Sequence, residues 1–142
     1  MENNVHSGQV RNILVMDDER TLRKLSVEFL TSLGYRVSTA ADGTEAICKY
    51  QEAKKKAPFD VVIMDLNIPN GMGGTETLDK LREFDPDVKA VACSGESSSA
   101  VLADYQNYGF HAAVAKPFQL DNLSDVLSQL LNVTESDMTP EM

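Results

Sequence analysis

The sequence predicts a doubly wound α/β fold, a single five-stranded parallel sheet with five helices covering both faces. Three observations carry this. Five short apolar runs alternate with five stretches of helical periodicity. The runs are almost continuously apolar, as strands buried on both faces must be. A polar residue stands directly behind the first, third, fourth and fifth run.

Taken in order, "NILVM" (12–16) reads as the first strand and is followed by the acidic pair Asp17-Asp18. From Glu19 the apolar positions Leu22, Leu25, Phe29, Leu30 and Leu33 share one helical face, with Gly34 placed to close the helix. "YRVSTA" (35–40) is the second strand, and residues 43–54 form a second helix through Ala46, Ile47 and Tyr50. "DVVIM" (60–64) is the third strand. The helix after it begins at Thr75, turns Leu78 and Leu81 inward, and stops short of Pro86. "VKAVAC" (88–93) is the fourth strand and runs into "SGESSS"; residues 98–108 are a helix closed by Gly109. "HAAVA" (111–115) is the fifth strand, and residues 119–131 the last helix, through Leu120, Leu123, Val126, Leu127, Leu130 and Leu131. Residues 1–11 read as a flexible N-terminal segment, 12–131 as one domain and 132–142 as a polar tail.

Composition narrows the function classes. At 142 residues the chain has the size of one ordinary domain. Its net charge of −9 argues against a nucleic-acid surface. No apolar run approaches the roughly 18 residues of a membrane span, and the first dozen residues lack the apolar stretch of a secretory signal. Cys48 and Cys93 lack zinc spacing and read as small buried groups in a reducing, cytoplasmic compartment. The N-x-S/T triplets at Asn122 and Asn132 are then chance matches. The run Lys54-Lys55-Lys56 solvates the end of the second helix, and neither His6 nor His111 has a partner at metal-ligand spacing.

Ligands of such sheets sit at the carboxyl ends of the strands, where the strand order switches. Those ends carry Asp17-Asp18, Asp65, Ser94 and Lys116. Taken singly, each has a plainer reading as a helix-start acid, a turn residue or a surface charge. Their joint position is what points to a site. Two strand orders remain open from the pattern alone. In the order 3-2-1-4-5, Asp65 lies at the sheet edge. In the order 2-1-3-4-5, the first and third strands are neighbours and three carboxylates crowd one rim. At about 5 Å each pair then repels by roughly 3 kcal/mol at an effective dielectric near 20. Three pairs sum to about 10 kcal/mol, comparable to a domain's whole stability. Protonation, the lysine or a cation must offset this, and carboxylates with a loop carbonyl suit Mg²⁺. A metal, a lysine, a hydroxyl and a carboxylate together describe a phosphoryl-transfer site with Asp65 as nucleophile. The glycines of "NIPNGMGG" (67–74) are expected to leave room there for metal and phosphate.

As a set, "VMDDE" (15–19), "VVIMDLNIP" (61–69), "CSG" (93–95) and "AKPF" (115–118) resemble the receiver domain of two-component response regulators, over roughly residues 11–131. The resemblance implies a flavodoxin-like sheet of order 2-1-3-4-5, with Asp65 as phosphoacceptor. It further implies that Asp18 and Asp65 bind Mg²⁺ directly, Asp17 through water, and Asn67 through its backbone carbonyl. Ser94 and Lys116 would contact phosphoryl oxygens, and the Lys116–Pro117 bond would be cis. A histidine kinase or histidine phosphotransfer domain would be the partner, with no direct nucleic-acid contact and no membrane insertion. Such a domain catalyses only its own phosphorylation and dephosphorylation, and switches the surface of its fourth and fifth βα units.

Two features depart from the family pattern. Ala113 stands where the family often carries an aromatic ring, three residues before the lysine; Tyr105 or Phe110 are the candidate substitutes. "IPNGMGG" is one residue longer than the common loop and resembles that of receivers attached to hybrid sensor kinases. Two alternative readings are an aspartyl-phosphate phosphohydrolase and an inert pseudo-receiver. The first typically needs a second Asp two residues after the nucleophile, where this chain has Asn67. Nothing demands the second, since every polar position holds a competent residue.

Overall fold

The computed structural model describes residues 10–95, 100–116 and 120–131. The expectations for residues 1–9, for the 132–142 tail and for the Lys116–Pro117 bond lie outside them. The elements are β1 (Asn12–Met16), α1 (Arg20–Ser32), β2 (Arg36–Ala40), α2 (Gly43–Ala53), β3 (Val61–Asp65) and α3 (Gly74–Phe84). They continue with β4 (Ala90–Ser94), α4 (Ala100–Ala103), a 3-10 turn (Tyr105–Tyr108), β5 (Ala112–Ala115) and α5 (Leu120–Leu130). The strands pair in parallel in the order β2-β1-β3-β4-β5, which settles the choice the sequence pattern left open. Met16 stands opposite Met64, Asp65 opposite Cys93, and Ser94 opposite Ala115, so the polar strand ends come level along one rim.

Alternation along the strands divides the core in two. Leu14, Met16, Val62, Met64, Ala90 and Ala92 pack with Ala46 and Tyr50 of α2 and Leu78 and Leu81 of α3. Ile13, Val15, Ile63, Val91 and Cys93 pack with Leu30 of α1 and with Leu123 and Leu127 of α5. Each fully buried leucine stabilises the fold by about 1.5–3 kcal/mol. At the opposite end of the sheet from the rim, the Tyr50 hydroxyl donates to Asp85 at 2.6 Å, and the Lys54 ammonium lies 3.3 Å from the same carboxylate. The basic run thus ties the end of α2 to the end of α3 through its first residue, while Lys55 and Lys56 are exposed.

Three expectations are corrected. Leu25 and Leu33 are 55% and 44% exposed, and Ser26 takes the inward place on α1. The buried stripe runs through Ser26 and Leu30, spaced one helical turn apart, and Leu25 lies about 100° off it. Cys48 is exposed on the outer side of α2, and only Cys93 is buried. Within 98–108, the described residues form one α-turn and then a 3-10 turn rather than one helix. The break falls at Asp104 (φ −133, ψ 42), whose carboxylate accepts the Asn107 side-chain amide at 2.8 Å. Such a local side-chain bond competes with continued helix. Gly34 and Gly109 close their segments with positive φ, as their positions suggested. Among the described residues, no helix is long and apolar enough to cross a membrane.

The corrected face of α1 is open to test by chemical denaturation. Leu30→Ala should cost about 2–5 kcal/mol. Leu25→Gln should stay within about 0.5 kcal/mol of the parent. A large loss at Leu25 would restore the face read from the sequence.

Candidate functional site

Four members of the site are the first polar groups after buried apolar runs: Asp65 and Ser94 end β3 and β4, and Asp17 and Lys116 directly follow β1 and β5. The Asp17 N–H still donates to Ala40 at 3.0 Å, extending the β1–β2 ladder and holding the residue 3% exposed. Its Oδ1 accepts the Glu19 N–H at 2.9 Å, an Asx-type turn that starts the path into α1. Arg23, one turn into that helix, donates to the Asp17 carbonyl at 2.8 Å. Asp65 closes β3, 3% exposed, with Oδ1 accepting the Asn67 N–H at 3.0 Å. Ser94 closes β4 and is fully buried, and the Lys116 N–H donates to its carbonyl at 2.8 Å. That ladder bond aims the Lys116 side chain across β4 toward β3 and β1.

The Lys116 ammonium lies 2.8 Å from Asp17 Oδ2 and 3.0 Å from Asp65 Oδ2. Carboxylate oxygens of Asp17, Asp18 and Asp65 lie within 4.8 Å of one another, a set able to hold a metal ion. Each such pair repels by roughly 3 kcal/mol at an effective dielectric near 20, and each lysine contact offsets a comparable amount. Lys116 reaches two of the three. Asp18 is exposed and makes no ion pair among the described residues. Burial, reinforced by the Asp17 charge, holds the Asp65 carboxyl above its ordinary value despite the Asn67 N–H and Lys116. Burial alone would lower Lys116, but its bonds to Asp17 and Asp65 outweigh that and raise it. The lysine is therefore a firmly charged ammonium between two acids.

Of the six residues designated from the sequence, Asp17, Asp18, Asp65, Ser94 and Lys116 meet at this rim, and Asn67, expected there for its backbone carbonyl, joins them through its side chain as well. Its side-chain amide donates to Ser94 Oγ at 2.8 Å, joining the β3 loop to the end of β4. The signal lay in register: Asn67 is two residues past Asp65, which pairs with Cys93, the neighbour of Ser94. The glycines act differently from expectation. A Cβ on Gly73 would meet the Leu66 carbonyl oxygen at 2.6 Å, and one on Gly74 the Asp65 carbonyl oxygen at 3.2 Å. They let the loop fold back on its own strand rather than clear space for a ligand. Phe110 is 2% exposed and locked in the core, while Tyr105 packs partly buried against the same cluster. Ala113 lines a shallow cavity of ≈ 270 Å³ with Leu102, Ala103 and Ala115, where a larger side chain would sit.

This geometry agrees with comparison to known proteins. A family profile, the response regulator receiver domain, matches residues 13–128. This chain belongs to that family. The receiver is 31% identical over 119 residues to the transcription factor SKN7 of Chaetomium thermophilum, covering 84% of this chain and 15% of that protein. It is 28% identical to the chemotaxis protein CheY of Bacillus subtilis, covering 84% of this chain and 97% of the other. Among solved structures, the CheX–CheY–BeF3–Mg complex from Borrelia burgdorferi matches with a TM-score of 0.80 at 26% identity, covering 89% of this chain and 93% of that one. The receiver thus spans most of a chemotaxis protein but a small fraction of the fungal factor. It is a receiver of the CheY type, a class whose activity is phosphoacceptor signalling.

The raised Asp65 carboxyl sets a sign for stability. The folded state holds this proton more tightly than the unfolded chain, so the residue's contribution falls as pH rises from about 4 through the folded value. Asp65→Asn keeps an acceptor for Lys116 and removes the charge. The metal-free variant should melt above wild type at neutral pH, with the gap closing as the pH is lowered toward about 4. A lower melting temperature at neutral pH would contradict the electrostatic account.

Proposed function

We propose that this receiver takes a phosphoryl group from a histidine kinase or histidine phosphotransfer domain onto Asp65, in a Mg²⁺-dependent reaction within the cytoplasm. The observation that carries the reading is the Lys116 ammonium bridging Asp17 and Asp65 beside the exposed Asp18 carboxylate. The donor set fits a hard divalent ion. Asp18 and Asp65 would hold it directly, with the Asn67 backbone carbonyl. Asp17 has one oxygen on the Glu19 N–H and the other on Lys116, so it would act through water. The ion would supply positive charge to the transferring phosphoryl oxygens.

An Asp65 oxygen forms the new bond to phosphorus as the donor's phosphorus–nitrogen bond breaks, the electron pair leaving with the imidazole. Lys116 offers its ammonium to the phosphoryl oxygens and Ser94 its hydroxyl, both from positions fixed by the β4–β5 ladder. The charge gained at Asp65 then redistributes the contacts of Lys116 and Ser94, biasing the surface of β4, α4, β5 and α5 between two populations. The domain turns over no external substrate. A phosphohydrolase would need a proton-transferring acid at position 67, and the Asn67 amide is already bonded to Ser94.

A small acyl-phosphate donor with Mg²⁺ should label wild type and leave Asp65→Asn unlabelled, as read by intact mass. Chelating the metal should abolish labelling, and Lys116→Met should slow it about a hundredfold. Equal labelling of wild type and Asp65→Asn would overturn the assignment.

A further inference from the structure

Asn67 enters the site twice. Its N–H donates to Asp65 Oδ1 at 3.0 Å, and its side-chain amide donates to Ser94 Oγ at 2.8 Å. One short residue therefore connects the nucleophilic carboxylate with the hydroxyl meant to respond to it. Ser94 is fully buried, so its hydroxyl cannot exchange this partner for bulk water. The β3–β4 ladder (Asp65 opposite Cys93) and the Leu66 N–H bond to Cys93 at 2.8 Å hold the two loop starts at fixed separation.

We propose that the Asn67 side chain is a latch on the resting state: its amide holds the Ser94 hydroxyl, and this bond must break before Ser94 can engage a phosphoryl group on Asp65. Asn67 is thus a positioning residue acting through Ser94, a role that rests on Asp65 being the phosphoacceptor. The same residue senses the modification. Converting the Asp65 carboxylate to an acyl phosphate weakens the acceptor of the Asn67 N–H and places new oxygens beside Ser94. Aiming the hydroxyl at those oxygens turns Ser94 Oγ about its Cα–Cβ bond and away from the Asn67 amide, a rotamer change that leaves β4 in place. Loss of one neutral hydrogen bond made only in the resting state shifts a two-state equilibrium by about three- to tenfold.

The test is a double-mutant cycle on beryllofluoride affinity, a phosphoryl mimic, at saturating Mg²⁺, accompanied by backbone and Asn side-chain amide NMR. Asn67→Ala should tighten binding about three- to tenfold in the Ser94 parent and in Ser94→Thr, which keeps the hydroxyl. It should have no effect in Ser94→Ala, where there is nothing to hold. In wild type, the Asn67 side-chain amide resonances should move on Ser94→Ala and again on adding beryllofluoride. An equal effect of Asn67→Ala in all three backgrounds, or no tightening in the parent, overturns the latch while leaving Asp65 as acceptor. Failure of beryllofluoride to bind wild type at all sinks the phospho-acceptor reading, and the latch with it.

Discussion

Two buried carboxylates on neighbouring strands demand a positive charge between them, and here Lys116 supplies it. The parallel pairing of β1 with β3 brings Asp17 and Asp65 level at the rim, each nearly removed from water. Neither is tolerable there alone, because an unpaired buried charge costs several kcal/mol. The ammonium arrives from two strands away, just beyond β5, through a ladder bond to Ser94 that fixes where its stem begins. The site is therefore a consequence of strand order. With β2 between β1 and β3, the acids would part and the lysine would have no task. Lys116 neutralises two carboxylates while a third stays exposed beside them, which leaves an electronegative corner suited to a metal ion.

Much of this was legible in the chain because buried parallel strands write themselves as apolar runs. In a parallel sheet the residue after each run then has to stand at the carboxyl rim. The limits of each run were less legible. Val88 is buried and apolar yet precedes β4, so burial extends beyond the ladder and hydrophobicity cannot mark where hydrogen bonding begins. On α1, Leu25 lies one position, about 100° around the helix, from the buried Ser26, so an apolar residue read as inward faces out while a small polar one turns in. Strand order was not written in periodicity at all, since both candidate orders bury the same runs. The Asn67–Ser94 bond was hidden for a similar reason. It joins residues 27 apart whose proximity exists only after the register of β3 on β4 is fixed.

The surroundings of Asp65 differ sharply in stiffness from one side to the other. Toward α2 and α3 the β3 loop is pinned: Thr77 is buried and both its N–H and hydroxyl donate to Gly73, while the Gly43 N–H donates to Met72 at 2.9 Å. A methyl group on Gly43 would strike the Thr77 side chain, and one on Gly73 would strike the loop's own backbone. Close packing of this kind transmits displacement but does not absorb it. Toward β4 and β5 the fold is looser. The described residues of α4, Ala100–Ala103, include none that is buried, and a 3-10 turn follows beyond Asp104. Ala113 leaves open space beside Leu102 that no described ring fills. A charge introduced at the rim would meet closely packed backbone on one side and, on the other, described residues that pack less deeply, and structure yields at least cost where packing is shallow. Under the phosphoacceptor role proposed for Asp65, polar contacts that cross from β3 to β4, the Asn67–Ser94 bond among them, are the path to that side, since position 113 carries no aromatic side chain.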